Sequence, residues 1–260
     1  MKVYFKTFGC RTNIYDTELL KSYVKNYEIV NDESVADIIV VNSCTVTNGA
    51  DSGVRNYINS MRNSGKKVIL TGCGAVSKGD ELFKSSAIFG VLGASNKSKI
   101  DEMLGKSEPF YELGDLNFID KNIVSNYENH TKAFIKIQEG CDFACSYCII
   151  PSVRGFSRSI DEDIILKEAK ILASNGYSEI VLTGTNIGSY GKGVGTSLGR
   201  LVAHLGKING IKRIRLGSIE PSQIDESFRE ILHEPWLERH LHIALQHTSQ
   251  QMLTIMNRRN

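Results

Sequence analysis

Short apolar runs alternating with helical patterns do most to limit the fold of this chain. They read KVYFKTF, NIYDTELLKSYVKN, ADIIVVNSC, ADSGVRNYINSMRNSG, KKVILTGC, KGDELFKSS and IFGVLGA. Segments such as DIIVV and KVIL are apolar at consecutive positions, so both faces of each strand need cover. Parallel strands meet that demand, because each crossover lays a helix on the sheet. The rhythm lapses from Pro109 to about His130, where Leu113-Gly114-Asp115 and Asn126-Tyr127-Glu128-Asn129-His130 read as linker. It then resumes as AFIKI, DEDIILKEAKILASNG, EIVLTG, SLGRLVAHLGKI, IKRIRLGS, SQIDESFREILHE and LHIALQ. Four strand and helix pairs with no antiparallel hairpin signal predict a second parallel sheet, open or curved toward a barrel.

With 260 residues, 41% hydrophobic and 23% charged, the chain can bury a core and form one large or two ordinary domains. It has no apolar run of the roughly 18 residues that a membrane span needs, and MKVYFKTFGC lacks a secretory apolar core. The expected compartment is the cytoplasm, where six cysteines serve metal binding or catalysis rather than disulfides. The net charge of +2 neither demands nor excludes a nucleic-acid partner. The basic residues Lys207, Lys212, Arg213, Arg215, Arg258 and Arg259 read as a solvated face.

The segment GCDFACSYCIIPSVRG places Cys141, Cys145 and Cys148 in one loop directly after the AFIKI strand. Structural zinc takes four ligands, commonly from two CxxC knuckles, and catalytic zinc usually adds His or a carboxylate, so the loop fits neither form well. A 4Fe-4S cluster also takes four ligands, so three thiolates leave one iron open to a substrate or cofactor. The other three cysteines follow strands, in KTFGC, VVNSC and LTGC. In a parallel sheet Cys10, Cys44 and Cys73 then share the carboxyl edge, where α/β proteins bind ligands, and a second three-thiolate cluster is expected there.

Cys141, Cys145, Tyr147 and Cys148 resemble the radical S-adenosylmethionine motif, CxxxC followed by one residue, an aromatic and C. The resemblance implies that S-adenosylmethionine chelates the open iron, with Tyr147 near its adenine, and that electron transfer releases a 5′-deoxyadenosyl radical. In LTGTNIGSYG, Gly184 permits close backbone approach, and Thr185 and Asn186 offer hydrogen bonds. The resemblance places the methionine amino group there.

The chain as a whole resembles the methylthiotransferase family, through TFGCRTNIYDTE, NSCTVTNGAD, LTGCGA, KIQEGCDFACSYCIIPSVRG, RIRLGSIEP and LQHTSQQMLTIMNRRN. Cys10-Arg11-Thr12-Asn13 resembles the branch acting on threonylcarbamoyladenosine in tRNA; other branches modify isopentenyladenosine or a ribosomal-protein aspartate. The fold class expected is α/β, a Rossmann-like parallel-sheet domain over residues 1–112, a linker over 113–130, and a partial (β/α) radical SAM barrel over 131–260. The resemblance implies two 4Fe-4S clusters, S-adenosylmethionine, the tRNA anticodon loop as partner, a flavodoxin or ferredoxin as electron donor, and a monomer. A non-catalytic iron-sulfur protein is the reading from another class.

Glu220 and Gln246 stand at the ends of the third and fourth barrel strands, the catalytic face of such folds, and are candidate cofactor or substrate contacts. His247 and Thr248 depart from the Ser-Gly that follows this glutamine in the family. Asp16 and Glu18 are read as carboxylates near the positive end of a helix dipole. Relatives continue into further barrel strands and a small RNA-binding β-barrel called TRAM, so the barrel is expected to be cut after its fourth strand.

Overall fold

The computed structural model describes residues 1–45, 48–128 and 130–258, with the backbone alone over residues 48–51. They form two compact units, Met1–Asp120 and Lys121–Asn260. Arg259 and part of the NSCTVTNGAD segment lie outside the described residues.

The first unit runs β1 (Lys2–Thr7), α1 (Arg11–Tyr23), β2 (Glu28–Ile29), β3 (Ile38–Ser43), α2 (Asn48–Asn63), β4 (Lys67–Gly72), α3 (Cys73–Ser77), α4 (Gly79–Lys84), β5 (Gly90–Leu92), α5 (Ile100–Leu104) and β6 (Phe110–Glu112). The sheet order is β2-β1-β3-β4-β5-β6, and every pairing is parallel. This is the flavodoxin-like version of the expected doubly wound sheet, with its switch point between β1 and β3. Alternation along β3 divides the core between the two faces. Ile38 and Val40 pack with Leu20 of α1 and Ile100, Met103 and Leu104 of α5. Ile39 and Val41 pack with Val54, Ile58 and Met61 of α2, which recur at helical spacing. The strands β2 and β6 were not legible in the sequence, being two and three residues long.

The second unit runs β7 (Ala133–Glu139), α6 (Ile150–Arg154), β8 (Arg158–Ser159), α7 (Glu162–Ser174), β9 (Glu179–Gly184), α8 (Leu198–Gly206), β10 (Arg213–Leu216), α9 (Glu226–Glu230) and α10 (Gln250–Ile255). Its sheet order is β10-β9-β7-β8, with β7, β9 and β10 parallel. On α7, Ile165, Ala169 and Leu172 face the core at spacings of four and three. Burying a side chain such as Ile165, fully enclosed here, contributes about 1.5–3 kcal/mol. Tyr127, in the stretch that reads as linker, is also buried, and its hydroxyl donates to the Phe134 carbonyl.

Two expectations for this unit need correction. The strand β8 pairs antiparallel with β7 through Gln138 and Glu139, a contact too short to leave a hairpin pattern in the sequence. The expected fourth strand, LHIALQ, makes a bridge between Ile219 and Ile243 rather than a ladder. Ile243 and Leu245 are exposed, so extending that segment gains little apolar burial.

Candidate functional site

The cysteine loop begins where β7 ends. Glu139 is buried there among cations, with Arg154 Nη1 at 2.7 Å, Lys136 Nζ at 3.1 Å and Arg158 Nη2 at 3.9 Å. Buried charges persist where partners surround them, so this group ties β7, α6 and β8 into one base for the loop. Lys136, a charged residue inside the otherwise apolar AFIKI strand, is the sequence signal for it.

At Gly140 the backbone turns with φ 76°, and a Cβ there would lie 1.9 Å from the Phe156 carbonyl oxygen. Only glycine allows that approach. The Cys141 N–H donates to the Gly155 carbonyl at 3.0 Å, and the Ser157 N–H donates to Asp142 at 2.9 Å, so the two ends of the loop are stapled together. Asp142 also pairs with Lys192, and the Lys192 hydrogen bond, followed by the Ser157 N–H, holds its carboxyl below the usual range against the opposing effect of burial.

The loop sulfurs are close enough to influence one another. Burial pushes the Cys148 thiol up, the Ile150 N–H opposes, and the Cys145 and Cys141 sulfurs add to the rise. A bound iron would take up the charge of these thiolates directly and so offset that rise. Donors surround them: the Phe143 N–H and Asn186 Nδ2 approach Cys141 Sγ at 3.4 and 3.7 Å. Arg258 Nη1 reaches Cys145 Sγ at 3.9 Å and the Tyr147 hydroxyl at 3.4 Å.

Three of the remaining predicted residues gather at the same place. Gly184 approaches the Gln138 carbonyl so closely that a Cβ would lie 2.7 Å from it. Thr185 Oγ1 accepts from the Gly140 N–H at 3.2 Å, and the Asn186 N–H donates to Gln138 Oε1 at 2.7 Å. Tyr147 is 52% exposed beside the loop. Glu220 lies at the end of the third strand as expected, and its carboxylate is occupied by Arg258. Gln246 is exposed on a backbone with φ 61°, and His247 and Thr248 are exposed with it.

Arg258 therefore does not belong to a solvated basic face: its side chain is 4% exposed. Arg213 and Arg215 pair with Glu179 and Glu238. Asp16 is not a helix-end carboxylate either, because it is buried in the body of α1 with Lys97 Nζ 3.4 Å away. Glu18 pairs with Lys21 at 2.8 Å.

In the first unit, register aligns Thr7 with Asn42, Asn42 with Thr71, and Ser43 with Gly72. Cys10, Cys44 and Cys73 thus stand together at the carboxyl edge, with Cys10 and Cys44 on either side of the switch point. Gly9, at φ 102°, lets the loop after β1 pass Cys44; a Cβ there would lie 2.8 Å from Cys44 Sγ. Beneath them lies a buried polar network. Asn13 Nδ2 donates to the Phe8 and Ser43 carbonyls, Asn42 Nδ2 donates to the Asn13 carbonyl, and Ser43 Oγ donates to the Thr71 carbonyl. Cys44 and Cys73 are buried and Cys10 is exposed. Among the described residues, no three Cys, His, Asp or Glu side chains converge as one metal ion would require. A cubane takes each thiolate on a different iron, so its ligands need not meet at one point as those of a single ion do.

Residues 2–93 match the Uncharacterized protein family UPF0004, and residues 135–260 match the Radical SAM superfamily. A tryptophan-binding radical S-adenosylmethionine methyltransferase, TsrM from Kitasatospora setae, has the same fold with TM-score 0.67 at 16% identity, over 97% of this chain and 60% of that one. The second unit is thus a radical SAM domain, preceded by a parallel-sheet domain that carries its own cysteines. A protein of Helicobacter pylori (strain ATCC 700392 / 26695) that bears the name "Putative methylthiotransferase" is 52% identical over 100% of this chain and 62% of its own length. The threonylcarbamoyladenosine tRNA methylthiotransferase MtaB of Aquifex aeolicus is 38% identical, over 99% of this chain and 66% of its length. The tRNA-2-methylthio-N(6)-dimethylallyladenosine synthase of Thermosipho africanus is 36% identical, over 100% of this chain and 62% of its length. The chain belongs to the methylthiotransferase family of radical S-adenosylmethionine enzymes, and it spans just under two thirds of the length of these relatives.

Proposed function

We propose that this chain takes part in transferring a methylthio group to C2 of N6-threonylcarbamoyladenosine next to the anticodon in tRNA. The observation that carries the reading is the pair of cysteine trios, each at the carboxyl end of the parallel strands of its own sheet. The branch is supported by Cys10-Arg11-Thr12-Asn13 and by the named activity of the Aquifex aeolicus relative.

Cys141, Cys145 and Cys148 would hold one 4Fe-4S cluster, and Cys10, Cys44 and Cys73 a second. When bound, the loop cluster with S-adenosylmethionine supplies a carbon radical strong enough to attack an aromatic C2–H, and the other cluster supplies the sulfur. The protein's share is position and shielding. The Glu139 group fixes the loop, Gly184 lets β9 close against the Gln138 carbonyl beneath the loop, Asn186 presents an amide beside Cys141, and Tyr147 offers a ring face to a purine. The reading includes tRNA as partner, a flavodoxin or ferredoxin as reductant, a monomeric chain and a cytoplasmic site of action. Among the described residues, no helix is long and apolar enough to cross a membrane.

Mass spectrometry of tRNA nucleosides from cells lacking the gene tests this. Loss of the methylthio form of threonylcarbamoyladenosine supports it. Loss of the isopentenyladenosine form instead moves the chain to the other tRNA branch, and an unchanged nucleoside profile favours a non-catalytic iron-sulfur protein.

A further inference from the structure

The last residue of α10 and the segment that follows it are laced to the cysteine loop. The Ser146 N–H donates to the Met256 carbonyl at 3.0 Å, Ser146 Oγ donates to the Ile255 carbonyl at 3.2 Å, and Asn257 Nδ2 donates to the Ala144 carbonyl at 2.7 Å. Arg258 completes the lacing. Its guanidinium donates to both oxygens of Glu220, to the Ala244 carbonyl at 2.7 Å, and toward Cys145 Sγ and the Tyr147 hydroxyl.

We propose that Arg258 is a positioning residue for the loop cluster, holding Cys145 in place and making the cluster easier to reduce. This rests on the reading that Cys141, Cys145 and Cys148 hold a cluster. A planar fork can grip both oxygens of Glu220 and still present an N–H to a sulfur, a fixed two-pronged geometry that a lysine ammonium does not supply. Glu220 is then the residue that aims Arg258 rather than a direct cofactor contact. A cation donating toward a ligand sulfur stabilises the extra negative charge of the reduced cluster, and hydrogen bonds to sulfur are among the factors that set cluster potentials.

The test uses the chain with Cys10, Cys44 and Cys73 replaced by Ala, reconstituted anaerobically with iron and sulfide so that only the loop cluster is read. Dithionite titration followed by electron paramagnetic resonance gives the midpoint. Arg258→Gln is expected to shift the reduction equilibrium about tenfold against the reduced form, about 59 mV more negative for a one-electron couple. It should also lose iron to a chelator faster. Arg258→Lys should recover part of the potential and little of the chelator resistance. An unchanged midpoint in Arg258→Gln overturns the inference. If that variant holds no iron, Arg258→Lys decides, and parental values for both its midpoint and its chelator rate overturn the inference. A parent that takes up no cluster overturns the cluster assignment itself, a result distinct from an iron-loaded parent indifferent to Arg258.

Discussion

Arg258 and Glu220 lie 38 residues apart and meet as a two-pronged ion pair, with Nη1 3.2 Å from Oε1 and Nη2 on Oε2. The pair joins the end of the third barrel strand to the segment that closes over the cysteine loop. Its surroundings explain why Glu220 and Arg258 have to be read as one device.

The two cysteine trios belong to separate units, so their iron should be separable. Replacing Cys141, Cys145 and Cys148 with Ala should leave about four irons per reconstituted chain, as should replacing Cys10, Cys44 and Cys73. Iron and sulfide analysis decides, and full retention after loss of the loop trio would refute its assignment.

Gly140 and Gly176 both have positive φ, 76° and 94°, but only Gly140 has backbone where a Cβ would go. Gly176→Ala should cost about 1 kcal/mol from conformational strain alone. Gly140→Ala should cost upward of about 3 kcal/mol and abolish iron binding by the loop. Denaturant unfolding beside iron content measures both, and equal costs would show that the Phe156 contact is unimportant.

Asp16 and Lys97 are each about 3% exposed and 3.4 Å apart. Replacing Lys97 with Met leaves a buried charge and should destabilise the first unit by about 3–5 kcal/mol. Adding Asp16→Leu should recover much of that loss. A double variant no more stable than the single one would argue that the pair is not the origin of the effect.

Glu179 gives a pH dependence with a definite sign. Burial raises its carboxyl, but the Arg215 hydrogen bond and the charges of Arg215, Lys132 and Arg213 outweigh it, so the folded value lies below the ordinary 4.5. A carboxyl depressed on folding stabilises above its unfolded value, and that contribution is lost as pH falls through the folded one. Glu179→Gln should therefore destabilise the protein at neutral pH, and the gap from the parent should shrink below about pH 4.5. A gap that stays constant down to pH 3 would contradict this.

The sequence by itself determined the local geometry. Runs apolar on both faces specify covered parallel strands, helical spacing in α2 and α7 specifies which side of each helix is buried, and the gaps in the cysteine loop limit what it can hold. These are legible because each depends on residues within a turn or a pleat of one another. Only the tertiary structure decided who meets whom. It set β1 beside β3, bringing Cys10 and Cys44 to one switch point, and it buried Asp16 against Lys97 where the sequence read a helix-end charge. It also brought Arg258 to Cys145, 113 residues away, out of what looked like a solvated basic face. Contacts at that separation arise from the packing of whole elements, and no local pattern encodes them.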